Sequence, residues 1–198
     1  MISLEDVKKT YHRGAHPVRA VAGVSLEIPE GKVTFLVGPS GSGKSTLLHL
    51  IGGLDRPSSG RVFHSDLELT AMDDAAMAKF RRHHVGFVFQ QFHLLPNLTA
   101  VENVLVPTIP EGSTQADRQR AEELLRRFGL GERLGHRPAE LSGGECQRVS
   151  IARALIYNAP TILADEPTGE LDSETSAHIM SQIRVLSTEF SRTVIIVT

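Results

Sequence analysis

Residues 38–45, Gly38-Pro39-Ser40-Gly41-Ser42-Gly43-Lys44-Ser45, fit the pattern G-x-x-x-x-G-K-[ST] in full. Each residue type in that pattern has a use in holding phosphate. Glycines let the backbone curl until successive N–H groups point inward at phosphate oxygens. A helix opening at Lys44 brings its positive end to the same oxygens. Lys44 can reach β- and γ-phosphates, and the Ser45 hydroxyl can ligate Mg²⁺. A second cluster lies far along the chain, where the apolar run Thr161-Ile162-Leu163-Ala164 ends in Asp165-Glu166. Asp165 suits a Mg²⁺ held through water, and Glu166 suits the polarisation of an attacking water. Together these residues have the parts of a nucleoside triphosphate hydrolase.

Such chemistry needs a strand before the loop and a helix after it, and the sequence supplies both. Residues 24–28 alternate apolar and polar, as a half-buried strand does, and Pro29-Glu30-Gly31 makes a turn. Residues 33–37 then form a nearly continuous apolar run, which predicts a strand covered on both faces. Residues 45–51 read as the helix. A flexible Gly/Ser turn bearing a surface lysine is the plain alternative, and the flanking elements argue against it. The acidic pair falls at the carboxyl end of a predicted parallel strand, where open α/β folds bind ligands.

The middle of the chain has a different character. Residues 113–128 predict a helix with Thr114 and Asp117 as a capping pair. Glu122 with Arg126, and Glu123 with Arg127, are spaced for ion pairs on a solvated face. Leu124, Leu125 and Phe128 face inward, and Gly129 ends the helix. Pro96, Pro107, Pro110 and Pro138 punctuate residues 91–141, a mostly helical insertion between two parts of one core. Helices over 144–157 and 173–187 and strands over 161–164 and 193–197 complete the pass.

Composition narrows the class further. The chain has 198 residues, 40% hydrophobic and 22% charged, which suits one folded domain rather than a disordered segment. A net charge of −2 argues against a general nucleic-acid binder. The apolar runs fall far short of the roughly 20 residues that cross a bilayer, and residues 1–6 carry no secretory signal. A lone Cys146 forms no internal disulfide and fits a reducing cytoplasm.

A phosphate loop alone leaves kinases, GTPases, helicases and transport ATPases open. Leu141-Ser142-Gly143-Gly144-Glu145-Cys146-Gln147-Arg148 narrows the choice, because it resembles the signature of ATP-binding-cassette (ABC) ATPases with Glu145 at the fifth position. A serine cap, two glycines and a following helix form a second phosphate-binding helix start. The resemblance spans essentially the whole chain. It implies an α/β fold, a RecA-like P-loop NTPase core with an antiparallel β subdomain and a helical subdomain. Residues 1–198 would be a single domain, with about 1–90 and 142–198 in the core and about 91–141 helical.

The same resemblance assigns roles. Gln90 looks like the glutamine that touches Mg²⁺ and senses a transmembrane partner. Tyr11 lies where the family stacks an aromatic on adenine, and Thr46 joins residues 38–45 around the nucleotide. Ser142, Gly143, Gly144 and Glu145 would act in trans on ATP held by a second, head-to-tail subunit, and Asp172 would contact that subunit. The partners implied are ATP with Mg²⁺, a second copy of the chain and a transmembrane permease at the cytoplasmic face of the plasma membrane. The segment 86–96 most resembles the lipoprotein-release and macrolide-export type.

Two departures stand out. Cys146 occupies a position where those relatives often carry Gln. The chain ends at Val197-Thr198, and the family's next residue is a histidine at the γ-phosphate; the resemblance implies that this stretch alone hydrolyses ATP poorly. An ABC ATPase outside transport is a second reading, although the spacing from Lys44 to Ser142 allows only a compact insertion. A scaffold subunit that binds ATP without turnover is a third. The basic run Lys79-Phe80-Arg81-Arg82-His83-His84 reads as a solvated helix end, with a partner or lipid contact as its alternative. Lys44→Ala should abolish tight Mg-ATP binding, since it removes the mobile cation that meets the phosphate charge. Equilibrium titration checks this, and unchanged affinity would overturn the phosphate-loop assignment.

Overall fold

The computed structural model describes residues 1–13, 16–188 and 191–198. In chain order the elements are β1 (Ile2–Arg13), β2 (His16–Ile28), β3 (Val33–Leu36), α1 (Lys44–Ile51), β4 (Ser59–His64), β5 (Leu67–Glu68), α2 (Asp74–His84), β6 (Val85–Phe89), α3 (Ala100–Leu105), α4 (Gln115–Arg127), α5 (Gly143–Ala154), β7 (Thr161–Asp165), α6 (Ser173–Thr188) and β8 (Thr193–Val197). They form an antiparallel sheet ordered β2-β1-β4-β5 and a parallel sheet ordered β3-β8-β7-β6.

The parallel sheet follows from its residues. β7 and β8 are apolar runs buried along nearly their whole length, as strands covered on both faces must be. One face packs with α1 and the antiparallel sheet through Leu48, Ile51, Leu163 and Ile195. The other packs with α5 and α6 through Ile151, Ile162, Ile179 and Ile196. Each such side chain contributes about 1.5–3 kcal/mol by leaving water. β3 departs from the expectation of two covered faces. It pairs with β8 at the edge of the sheet, and Phe35 is 50% exposed. An apolar run therefore marked the strand but not its place in the sheet.

The insertion has its own cluster, built from Val101, Val104, Ala121, Leu125 and Leu130 together with Val149, Ala152 and Ile156. Helix α5 thus supplies one face to this cluster and another to the parallel sheet. Thr114 and Asp117 form the expected capping box of α4, and Arg126 pairs with Glu122 at 3.0 Å.

The basic run at the end of α2 stays partly exposed, and its side chains find partners within the chain. Arg81 donates to the Gly53 carbonyl at 2.9 Å, and the ring of His84 stacks on Phe80. Arg82 reaches Glu111 at 2.6 Å and His83 reaches it at 3.0 Å, while the Tyr157 hydroxyl donates to the same carboxylate at 2.9 Å. The Arg82 bond, then that of Tyr157, holds the Glu111 carboxyl down at about 2. Burial, then the Glu111 bond, pushes the Tyr157 phenol up to about 12. The acceptor is an exposed carboxylate distant in sequence, so periodicity could not reveal these pairs.

His64 is buried, its Nε2 2.8 Å from the Ile51 carbonyl oxygen and its ring edge-on to Phe80. Burial lowers its pKa from 6.5 to about 4. Between those values the unfolded chain takes up a proton that the folded chain refuses, so stability falls with falling pH, by up to about 3 kcal/mol. Thermal unfolding at pH 7 and pH 4.5 should show a larger loss of Tm in the parent than in His64→Gln. Equal losses would remove His64 as the cause.

Candidate functional site

The parallel register brings the chemistry to one level. Leu36 aligns with Val197, Val197 with Asp165, and Asp165 with Phe89. The segments leaving β3, β7 and β6 carry the phosphate loop, Glu166 and Gln90, and all emerge at the same carboxyl edge.

Two glycines of positive φ shape the loop. Gly41 and Gly43 have φ of +77° and +92°. A Cβ at Gly43 would lie 2.0 Å from the carbonyl oxygen of Ala20, so both conformation and space exclude a side chain. Ser42 N–H closes the turn onto the Pro39 carbonyl at 3.2 Å. Pro39, Ser40, Gly41 and Ser42 stay exposed. Lys44 opens α1 and folds back over the loop, donating to the carbonyls of Gly38 at 2.8 Å and Pro39 at 3.1 Å.

Ser45 and Asp165, far apart in sequence, meet here: the Ser45 hydroxyl donates to Asp165 Oδ1 at 2.9 Å. Two oxygens of this kind on adjoining elements are the donor set that a hard divalent cation takes. His49, one turn after Ser45 on α1, places Nε2 4.0 Å from Asp165 Oδ2. Sequence reasoning missed it, although its i+4 spacing from Ser45 was the signal.

Glu166 sits at φ +44°. This is the left-handed region that a non-glycine residue holds only when its surroundings enforce it, and Pro167 restricts it further. Its N–H donates to Val197 O and its carbonyl accepts from Gly169 N–H, both at 3.0 Å. Gln90 packs closely on this segment: a Cβ at Gly169 would lie 2.9 Å from Gln90 Nε2.

The remaining expected residues lie around this centre. Tyr11 is 37% exposed, and its hydroxyl donates to Asp55 Oδ2 at 2.7 Å. Lys9 bonds Asp55 at 2.6 Å and holds its ammonium 4.9 Å from the phenol ring. Burial, then Asp55, raises the phenol pKa, and Thr46 lies beside the same hydroxyl. Ser142 caps α5, its hydroxyl accepting from Glu145 N–H while Glu145 accepts from Ser142 N–H at 2.8 Å. That backbone bond, with Arg133 at 3.2 Å, lowers the Glu145 carboxyl. Glutamate at the fifth signature position thus completes a capping box. The signature's neighbours are Leu171 and Phe92 beside Gly143 and Thr175 beside Gly144. Asp172 caps α6 through the N–H groups of Glu174 and Thr175 and the Thr175 hydroxyl at 2.7 Å.

Two polar residues of α5 escaped sequence reasoning. Gln147 is fully buried and donates from Nε2 to the Pro167 carbonyl at 2.6 Å. Its Oε1 is buried without a partner among the described residues, at a cost of about 1–3 kcal/mol. Arg153 donates to the carbonyls of His93 and Phe92, the latter at 2.7 Å, and burial lowers its pKa. Polar types on a helix read as solvated, so neither gave a signal.

Residues 21–169 match the family described as ABC transporter. An uncharacterised ABC transporter ATP-binding protein of Thermotoga maritima is 50% identical over 199 residues, covering 100% of this chain and 85% of that protein. The lipoprotein-releasing system ATP-binding protein LolD of Pseudomonas fluorescens is 48% identical over 204 residues, covering 100% and 88%. Among solved structures, the dimeric bacterial ABC transporter cassette MJ0796 matches with a TM-score of 0.91 and 47% identity, over 100% of this chain and 88% of that one. A post-hydrolysis state of the same cassette, bound to ADP and Pi, gives 0.91 and 46%.

The carboxylate beside Asp165 generates a direct test. Glu166→Gln should keep Mg-ATP affinity and lower turnover by about 10²-fold or more, because an amide is a far poorer base. Titration and phosphate release in parallel measure both, and undiminished turnover would sink the assignment.

Proposed function

The chain belongs to the ABC transporter family, and on that footing we propose that it binds ATP with Mg²⁺, hydrolyses it in a head-to-tail pair, and so drives a transmembrane permease. The observation that carries this reading is the bond between Ser45 and Asp165 at 2.9 Å, beside Glu166 and beneath the phosphate loop. Two oxygen donors, a carboxylate and a glycine-rich loop on one sheet edge support the reading.

ATP docks its phosphates on the N–H groups that follow Pro39 in the loop, residues 40–45. Lys44 leaves the carbonyls of Gly38 and Pro39 and turns to the β- and γ-phosphates. Ser45 and Asp165 would hold Mg²⁺, with Gln90 nearby; when bound, the ion neutralises charge on the phosphate oxygens. Glu166 accepts a proton from the water that attacks the γ-phosphorus in line, and ADP leaves with its own bridging oxygen. Catalysis is positioning and electrostatic stabilisation.

Ser142 opens α5 as its cap and is followed by two glycines, and a helix start this bare supports the use of Ser142, Gly143 and Gly144 on ATP held by a second copy. Asp172 and its neighbours then lie at the seam, and Tyr11 offers its ring to adenine. Among the described residues no helix is long and apolar enough to cross a membrane. The likeness to LolD favours an envelope-facing permease of the lipoprotein-release or macrolide-export type, with this subunit on the cytoplasmic face. Residues 1–90 and 142–198 act as the core and 91–141 as the helical arm that meets the permease.

Mixed dimers of Lys44→Ala with Ser142→Arg test the arrangement. One composite site then lacks both groups and the other keeps both, so purified heterodimers should regain up to about half of parental turnover while each variant alone has none. No recovery in verified heterodimers would count against head-to-tail pairing.

A further inference from the structure

The phosphate chemistry leaves Gln147 unexplained. Its side chain is 0% exposed, yet one end of the amide has no partner among the described residues. An apolar side chain would fill that space without burying an unsatisfied oxygen. What the amide adds is its Nε2 bond to the Pro167 carbonyl at 2.6 Å.

That carbonyl belongs to the residue after Glu166. Glu166 holds a left-handed backbone at φ +44°, a state that persists only where several contacts enforce it. Val197 O and Gly169 N–H, each at 3.0 Å, fix the Glu166 peptide groups from within the sheet edge and its own turn. The contact from Gln147 comes from α5, three residues beyond Gly144 on the same rigid helix. At 1.5 Å of rise per residue, Gln147 lies about 4–5 Å along the axis from the signature glycine. A tilt of the start of α5 is therefore felt at Pro167.

We propose that Gln147 is a positioning residue that ties the aim of Glu166 to the nucleotide engaged by the same chain's signature. This rests on the head-to-tail reading above. Ser142 and Gly144 then cap the γ-phosphate of one ATP while Glu166 serves the other, and the bond from Gln147 to Pro167 links the two sites within one subunit. Occupation of the signature seats α5, α5 sets the Pro167 peptide, and that peptide sets the carboxylate.

The test uses the full-length protein with Gln147→Met and Gln147→Glu. Met matches the volume and cannot donate, so Tm and Mg-ATP affinity should stay at parental values. Its kcat should fall about tenfold, the equivalent of one lost hydrogen bond, and its Hill coefficient for ATP should fall towards one. Glu donates to a carbonyl only when protonated, so its kcat should recover as pH is lowered, beyond any change in the parent. Parental kcat and Hill coefficient in both variants would overturn the proposal. So would losses of kcat, affinity and Tm in step with no acid recovery in Gln147→Glu, since those mark a merely structural amide. If the parent forms no ATP-dependent dimer, the head-to-tail reading itself fails; if it dimerises and the variants match it, only the role of Gln147 does.

Discussion

Parallel strands that end at one level are the constraint on which this molecule depends. The alignment of Leu36, Val197, Asp165 and Phe89 decides that the loop after β3, the carboxylates after β7 and the amide after β6 share an edge. Apolar runs enforce it. A slip of one residue in β7 would turn Leu163 and Ile162 to opposite faces and break both core layers. Burial worth several kcal/mol thus holds polar groups in place to within a hydrogen bond, as between Ser45 and Asp165.

Helix α5 is the second organising part. It packs on the parallel sheet through Ile151 and on the helical cluster through Val149 and Ala152. Its polar side chains reach outward from that shared position, Gln147 to Pro167 and Arg153 to Phe92 and His93. The signature serine and glutamate meanwhile bond each other. A helix seated between the parallel sheet and the helical cluster is thus bonded to both loops at the sheet edge.

What was legible in the sequence was local. Phosphate chemistry demands particular residue types within eight positions, so Gly38 to Ser45 could be read directly, and so could the Thr114–Asp117 cap, three residues apart. Asp165 and Glu166 were readable because an apolar strand announces its own end. Pairings across the fold were not. Arg82 and His83 find Glu111 after a long excursion of the chain, Tyr11 finds Asp55, and Gln147 finds Pro167. Nothing in a helix's periodicity separates a buried amide from a solvated one. The exposure of Phe35 belongs to the same class, since the strand order that puts β3 at an edge is a property of the whole sheet.

The posture of Lys44 has a consequence for selectivity. Its ammonium is already solvated by the carbonyls of Gly38 and Pro39, so the loop carries an internal competitor for anions. A small anion must displace both of those oxygens and also give up its own hydration. A polyphosphate offers several oxygens to the lysine and the N–H groups at once. On the ATP-binding reading, the lysine's self-contact sets a preference for the ligand whose oxygens replace both carbonyls at once.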